Sequence, residues 1–84
     1  MRKFLIVIEK AGSNYSAYSP DVLGCVTTGK TREETRRNMI EAIEFHLEGL
    51  VEDGDPIPDS ESTAEYITVN EPQPVKSVPA ATRS

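Results

Sequence analysis

A single helical period, closed at both ends by local signals, constrains this chain more than any other feature. Thr31-Arg32-Glu33-Glu34 has the spacing of a capping box: the Thr31 hydroxyl accepts from the Glu34 N–H, and the Glu34 carboxylate reaches back to the Thr31 N–H. Thr35, Met39, Ala42, Ile43, His46, Leu47 and Leu50 then recur at helical spacing and form an inward stripe. Glu41, Glu44, Glu48 and Glu52 run three and four apart on the other side, and Glu33 stands four residues before Arg37, the spacing of a helical ion pair. Gly54 is a C-terminal stop, and Pro56 and Pro58 bar continuation. The pattern predicts one helix from Thr31 to about Glu52 with a side that must be buried.

What buries it must come from short strands. Phe4-Leu5-Ile6-Val7-Ile8 is β-branched and aromatic without helical spacing, and reads as a strand buried on both faces. Ala11-Gly12-Ser13-Asn14 is turn material, and Tyr15–Tyr18 resumes as a second strand of a hairpin. Ser19-Pro20-Asp21-Val22-Leu23-Gly24 makes a second reversal before a third strand, Cys25–Thr28. Gly24 and Gly29 bracket that strand and are expected to take backbone conformations closed to other residues. Glu65–Val69 reads as a fourth strand, parallel to the first after a right-handed crossover. The expected fold is α+β in two layers, β-β-β-α-β, with sheet order 3-2-1-4, the first strand central and the helix on one face. The other face then needs cover from a second copy or another protein, as a dimer or a tetramer. Residues 1–69 form the expected domain. Residues 70–84, with Pro72, Pro74 and Pro79 among small polar residues, form an expected disordered tail.

Charge and cysteine content narrow the function. Nine Lys and Arg against fourteen Asp and Glu leave −5, and because residues 70–84 carry +1, the domain carries −6. Direct nucleic-acid binding needs clustered cations and is not expected. One cysteine permits neither an internal disulfide nor a multi-cysteine metal site. The five-residue apolar run after Met1-Arg2-Lys3 ends at Glu9, short of the roughly 7–15 residues of a secretory signal and the about 20 of a membrane span. The expected location is the cytoplasm.

With these elements placed, the chain resembles the HicB-like antitoxin family. The resemblance is carried by Tyr15-Ser16-Ala17-Tyr18-Ser19-Pro20-Asp21, by Gly24-Cys25-Val26-Thr27-Thr28-Gly29-Lys30-Thr31 and by Glu33-Glu34. Asn38 through Glu48 and Gly54-Asp55-Pro56-Ile57-Pro58 complete it. It implies a partial ribonuclease-H-like fold and a protein that neutralises a HicA-type toxin, a small ribonuclease, by covering its active surface. Many members carry a further C-terminal DNA-binding domain; the proline-punctuated residues after Val69 are not expected to form one. Leu23 stands where the family usually has proline, and Thr35 where alanine is common.

No catalytic, cofactor-binding or metal residues are expected. His46 is the only histidine and reads as a half-buried neighbour of the core stripe, Cys25 as a packed strand thiol. A metal-dependent nuclease would need converging carboxylates, and the strands offer only Glu9 and Glu65. Tyr15, Tyr18, Pro20, Val22 and Leu23 are the candidate surface for a partner or a second copy, against the plainer reading of sheet packing. Thr31, Glu34, Gly24, Gly29 and Gly54 are structural. The leading expectation is a non-enzymatic antitoxin-like binding protein. The alternatives are a solitary HicB-like domain with another protein or a small ligand as partner, and the nuclease.

Overall fold

The computed structural model describes residues 2–74. Three strands, β1 (Val7–Ala11), β2 (Asn14–Tyr18) and β3 (Val26–Gly29), form an antiparallel meander, and α1 (Arg32–Glu52) lies across one face. The order is β1-β2-β3, so β2 is central and β1 is an edge. Ala11 pairs with Asn14 across the two-residue turn Gly12-Ser13. Positive φ there is confined to Gly12, as in the II′ turn whose twist suits a hairpin.

The expected fourth strand is absent among the described residues: Glu65–Val69 is without regular structure and exposed. The order 3-2-1-4 and the partial ribonuclease-H-like arrangement, which both need a parallel strand beside β1, are therefore not formed here. Propensity favours β structure in Glu65–Val69, but a strand exists only where a neighbour supplies the ladder. The first strand is also displaced, beginning at Val7 rather than Phe4. Phe4 and Ile6 pack on the core ahead of it, and Phe4–Ile8 is half-buried rather than buried on both faces. The expected tail falls largely on residues 75–84, outside the described residues.

Alternation along β2 sets the layers. Ala17 is buried beneath the helix, whereas Tyr18 faces away. Ala17, Val22, Cys25, Met39 and Ile43 form the buried core, with Phe4, Ile6, Ile8 and Leu47 packed around it. Met39 is the largest fully buried side chain and seals the layer between helix and sheet.

The helix ends as its signals require, with one change. Thr31 caps it, its hydroxyl accepting from the Glu34 N–H at 3.0 Å. The Glu34 carboxylate reaches one residue further back than a capping box prescribes, accepting from the Lys30 N–H at 2.6 Å. The anticipated Glu33–Arg37 pair is not formed; the one ion pair among the described residues joins Arg2 and Asp59 at 3.9 Å. At the other end the Asp55 N–H donates to the Leu50 carbonyl and the Gly54 N–H to that of Val51, a Schellman motif turning on Gly54 at φ 75°.

Gly24 takes the positive φ expected of it, 88°, but Gly29 does not. Its role is contact. A Cβ built on Gly29 would lie 2.5 Å from Thr35 Oγ1 and 2.8 Å from the Thr35 backbone nitrogen. The first turn of α1 is thus pressed against the end of β3, and Thr35, fully buried there, turns its hydroxyl to the Thr31 carbonyl at 2.7 Å. Asn38 adds a bond from its Nδ2 to the Thr28 carbonyl at 2.9 Å, occupying part of the β3 edge. Gly29→Ala should lower stability by about 1–3 kcal/mol, as overpacked sites do. Thr35→Ala should fail to restore it because the backbone nitrogen remains in the way; urea unfolding of the two single variants and the double variant checks this.

Candidate partner-binding surface

The five residues singled out as a surface separate into three environments. Val22 is fully buried and belongs to the core. It is held there by Ser19, whose buried hydroxyl accepts from the Asp21 and Val22 N–H groups at 3.2 Å each. Tyr15 lies half-buried on the helix side of the sheet, with Lys10 Nζ 5.9 Å from its ring centroid. Tyr18, Pro20 and Leu23 are exposed, Leu23 at 80%.

Tyr18 pairs with Val7 on one side and Val26 on the other, making an apolar row across the open face of the sheet. Val26, exposed, also turns the corner at the β3 edge into a depression of about 410 Å³. There it meets Cys25, Ala42, Phe45, His46 and Leu50. Phe45 is 79% exposed. Val26 and Phe45 thus meet at one corner of the molecule, and exposed Leu23 immediately precedes Gly24, which lines the same depression. Phe45 was not singled out from the sequence, although an aromatic outside the inward stripe was the available signal.

The exposed side of α1 is negatively charged. Glu44, Glu48 and Glu52 are exposed, and no basic residue occupies the last turn of α1. Carboxylates there oppose the helix dipole and repel one another at four-residue spacing, costing the helix a few tenths of a kcal/mol each.

The reactive groups are otherwise engaged. Burial pushes the Cys25 thiol up from its usual range, and its Sγ lies 3.9 Å from the Ala42 carbonyl, so at neutral pH it is a protonated packing group. Glu9 is exposed on β1 and Glu65 stands in the segment beyond the sheet, where no strand brings it back. Among the described residues, no three His, Cys, Asp or Glu side chains are grouped to hold a metal ion.

Asp21 is the exception among the acids, because it holds the chain together. Its Oδ1 accepts from the Glu61 and Ser62 N–H groups at 3.1 and 3.0 Å. Its Oδ2 accepts from the Leu5 N–H at 3.2 Å and the Ser60 hydroxyl at 3.4 Å. The carboxylate thereby ties the β2–β3 loop to the start of the chain and to the segment that returns from the helix. Desolvation raises its pKa, but the hydrogen bonds from Leu5, Ser62 and Glu61 outweigh it and hold the group below the ordinary 3.8.

No helix among the described residues is long and apolar enough to cross a membrane. The features together define a small α+β domain whose distinctive equipment is a surface. A family model described as the HicB-like antitoxin of bacterial toxin–antitoxin systems matches residues 4–77, and the chain belongs to that family. It is 35% identical, with a TM-score of 0.57, to the crystal structure of the N-terminal domain of the Burkholderia pseudomallei antitoxin HicB, over 73% of this chain and 69% of that one. It is 31% identical, with a TM-score of 0.58, to a chain of a HicA3–HicB3 toxin–antitoxin complex, over 70% of this chain and 72% of that one. An uncharacterised 14.9 kDa protein of Haemophilus phage HP1 is 43% identical over 81% of this chain, which spans only 50% of that relative's length. A UPF0150 protein of Thermoplasma acidophilum is 36% identical, over 81% of this chain and 97% of its own length.

Because the Asp21 pKa is lowered on folding, the stabilisation it brings is present at neutral pH and is lost as pH falls through the folded pKa, below 3.8. Asp21→Asn should speed hydrogen exchange at the Leu5, Glu61 and Ser62 amides while leaving Met39 and Ile43 protected. Equal loss of protection in the helix would contradict this role.

Proposed function

We propose that this chain is an antitoxin that neutralises a small HicA-type ribonuclease by lying over its active surface, without chemistry of its own. The observation that carries this is the likeness, across most of the fold, to a HicB chain solved in complex with its toxin. The exposed corner of Leu23, Val26 and Phe45 supplies the apolar centre such an interface needs. The carboxylates along α1 supply a field that draws in an RNA-binding, basic partner and competes with RNA for it. The chain acts in the cytoplasm, whose reducing conditions suit one unpaired cysteine. It works as a homo-oligomer, a second copy covering apolar surface that a core of this size leaves open.

The likeness to UPF0150 proteins, whose name ties them to no toxin, favours a second reading, a HicB-like domain with a different protein partner.

Co-expression with any small basic protein encoded beside its gene separates the two. The antitoxin reading expects growth to be restored and the two proteins to co-purify; a toxic neighbour left unrestrained and unbound refutes it. Phe45→Asp or Leu23→Asp should each weaken the complex by about 2 kcal/mol or more, the scale of an interface anchor. The association rate should fall with added salt, and Glu44→Gln with Glu48→Gln should flatten that dependence.

A further inference from the structure

The molecule carries a vacant strand position and an unused strand. The vacancy is the outer edge of β1, the end of the sheet opposite β3. The helix leaves room above it. Asn38 and Thr35 tie one flank of α1 to β3. At 100° per residue, Ile40, Leu47 and Val51 lie on the opposite flank, toward β1. Ile40 and Val51 are exposed there, and Leu47 and Val51 line an open depression of about 670 Å³ with Glu44, Glu48 and Glu52. That depression is bounded by helix residues alone, and of the three strands β1 is the one α1 covers least.

The unused strand is Glu65-Tyr66-Ile67-Thr68-Val69. Tyr66 is 105% and Ile67 78% exposed, Val69 is exposed as well, and none pairs with the sheet. The Asp21 carboxylate fixes where the segment departs, holding Ser62 next to Leu5, just ahead of β1. Beyond that point the segment leaves its own sheet, and the molecule extends to 64 Å along an axis with cross-sections of 28 and 21 Å.

We propose that residues 65–69 of each copy add as a strand to the β1 edge of a second copy, in a reciprocal exchange about a twofold axis. The occupant is a second copy because each chain supplies one donor strand and one acceptor edge. A twofold exchange uses both on both chains and leaves neither over. A different partner at the edge would leave Tyr66, Ile67 and Val69 in water. Alternation places Ile67 and Val69 on one side of the added strand and Tyr66 on the other, so that one of the two sides meets the exposed flank of α1. The exchange rests on the second copy proposed above and not on the identity of any toxin, whose corner lies on the β3 side.

The test uses the full chain, half of it isotope-labelled and half not, mixed after unfolding and refolding. Light scattering should report a dimer, and isotope-filtered spectra should show contacts between residues 65–69 of one chain and β1 of the other. Ile67→Pro, which removes a ladder donor, should raise the dimer dissociation constant about tenfold or more with the helical circular dichroism unchanged. A monomer, or contacts only within one chain, overturns the exchange. A dimer without those contacts also overturns it while leaving the second copy standing, as does an Ile67→Pro variant that dimerises undiminished.

Discussion

The seating of α1 against β3 governs the rest of the molecule. Gly29 lets the first helical turn approach closer than any side chain at that position allows, and Thr35 and Asn38 fasten the turn once it is there. With one end set this way, a 21-residue helix on a three-stranded sheet must cover β3 and β2 well and β1 poorly. The exposure of Ile40 and Val51 on one flank, and of Phe45 on the other, follows from that placement, since a single sheet face this narrow cannot bury more than the central stripe.

The carboxylates divide into two kinds by how their charge is met. Asp21 is surrounded by donors from two stretches of chain, Leu5 and residues 60–62, so its negative charge is fixed and structural. Glu44, Glu48 and Glu52 meet no cation on their own helix, at the end where the helix dipole is itself negative. The first arrangement stabilises the fold; the second costs the helix a little. A stability-only sequence would place lysine or arginine in that last turn.

What could be read from the residues was whatever local chemistry decides. The helix limits were legible because the Thr31 cap and the Gly54 stop act within a few residues of themselves. The hairpin was legible because Gly12-Ser13 lies between two β-favouring runs. Glu65–Val69 was misplaced for the opposite reason: its composition is that of a strand, but whether it pairs depends on which edge lies within reach. Gly29 shows the same limit at one residue, since the sequence gives no sign that its missing Cβ serves a helix rather than a turn. Of the candidate surface, Tyr18, Pro20 and Leu23 were found exposed, whereas Val22 went inside because Ser19 curls the loop so that its side chain faces Met39 and Ile43. Family likeness located the surface only as far as the motif; Phe45 lies inside the matched helix, and its position outside the inward stripe was the one sign of its exposure.

A core of Ala17, Val22, Cys25, Met39 and Ile43 is small for a chain of this length. At about 1.5–3 kcal/mol for each large apolar side chain fully buried, it leaves little beyond the conformational entropy it must offset. A chain of this size buries a smaller share of its surface on folding than a larger domain does. The uncovered apolar side chains fall into two groups, Ile40 and Val51 on the β1 flank of α1 with Tyr66, Ile67 and Val69 beyond the sheet, and Leu23, Val26 and Phe45 nearer β3. Two separate apolar surfaces on one small domain can serve two neighbours at once, one completing the fold and the other receiving its action.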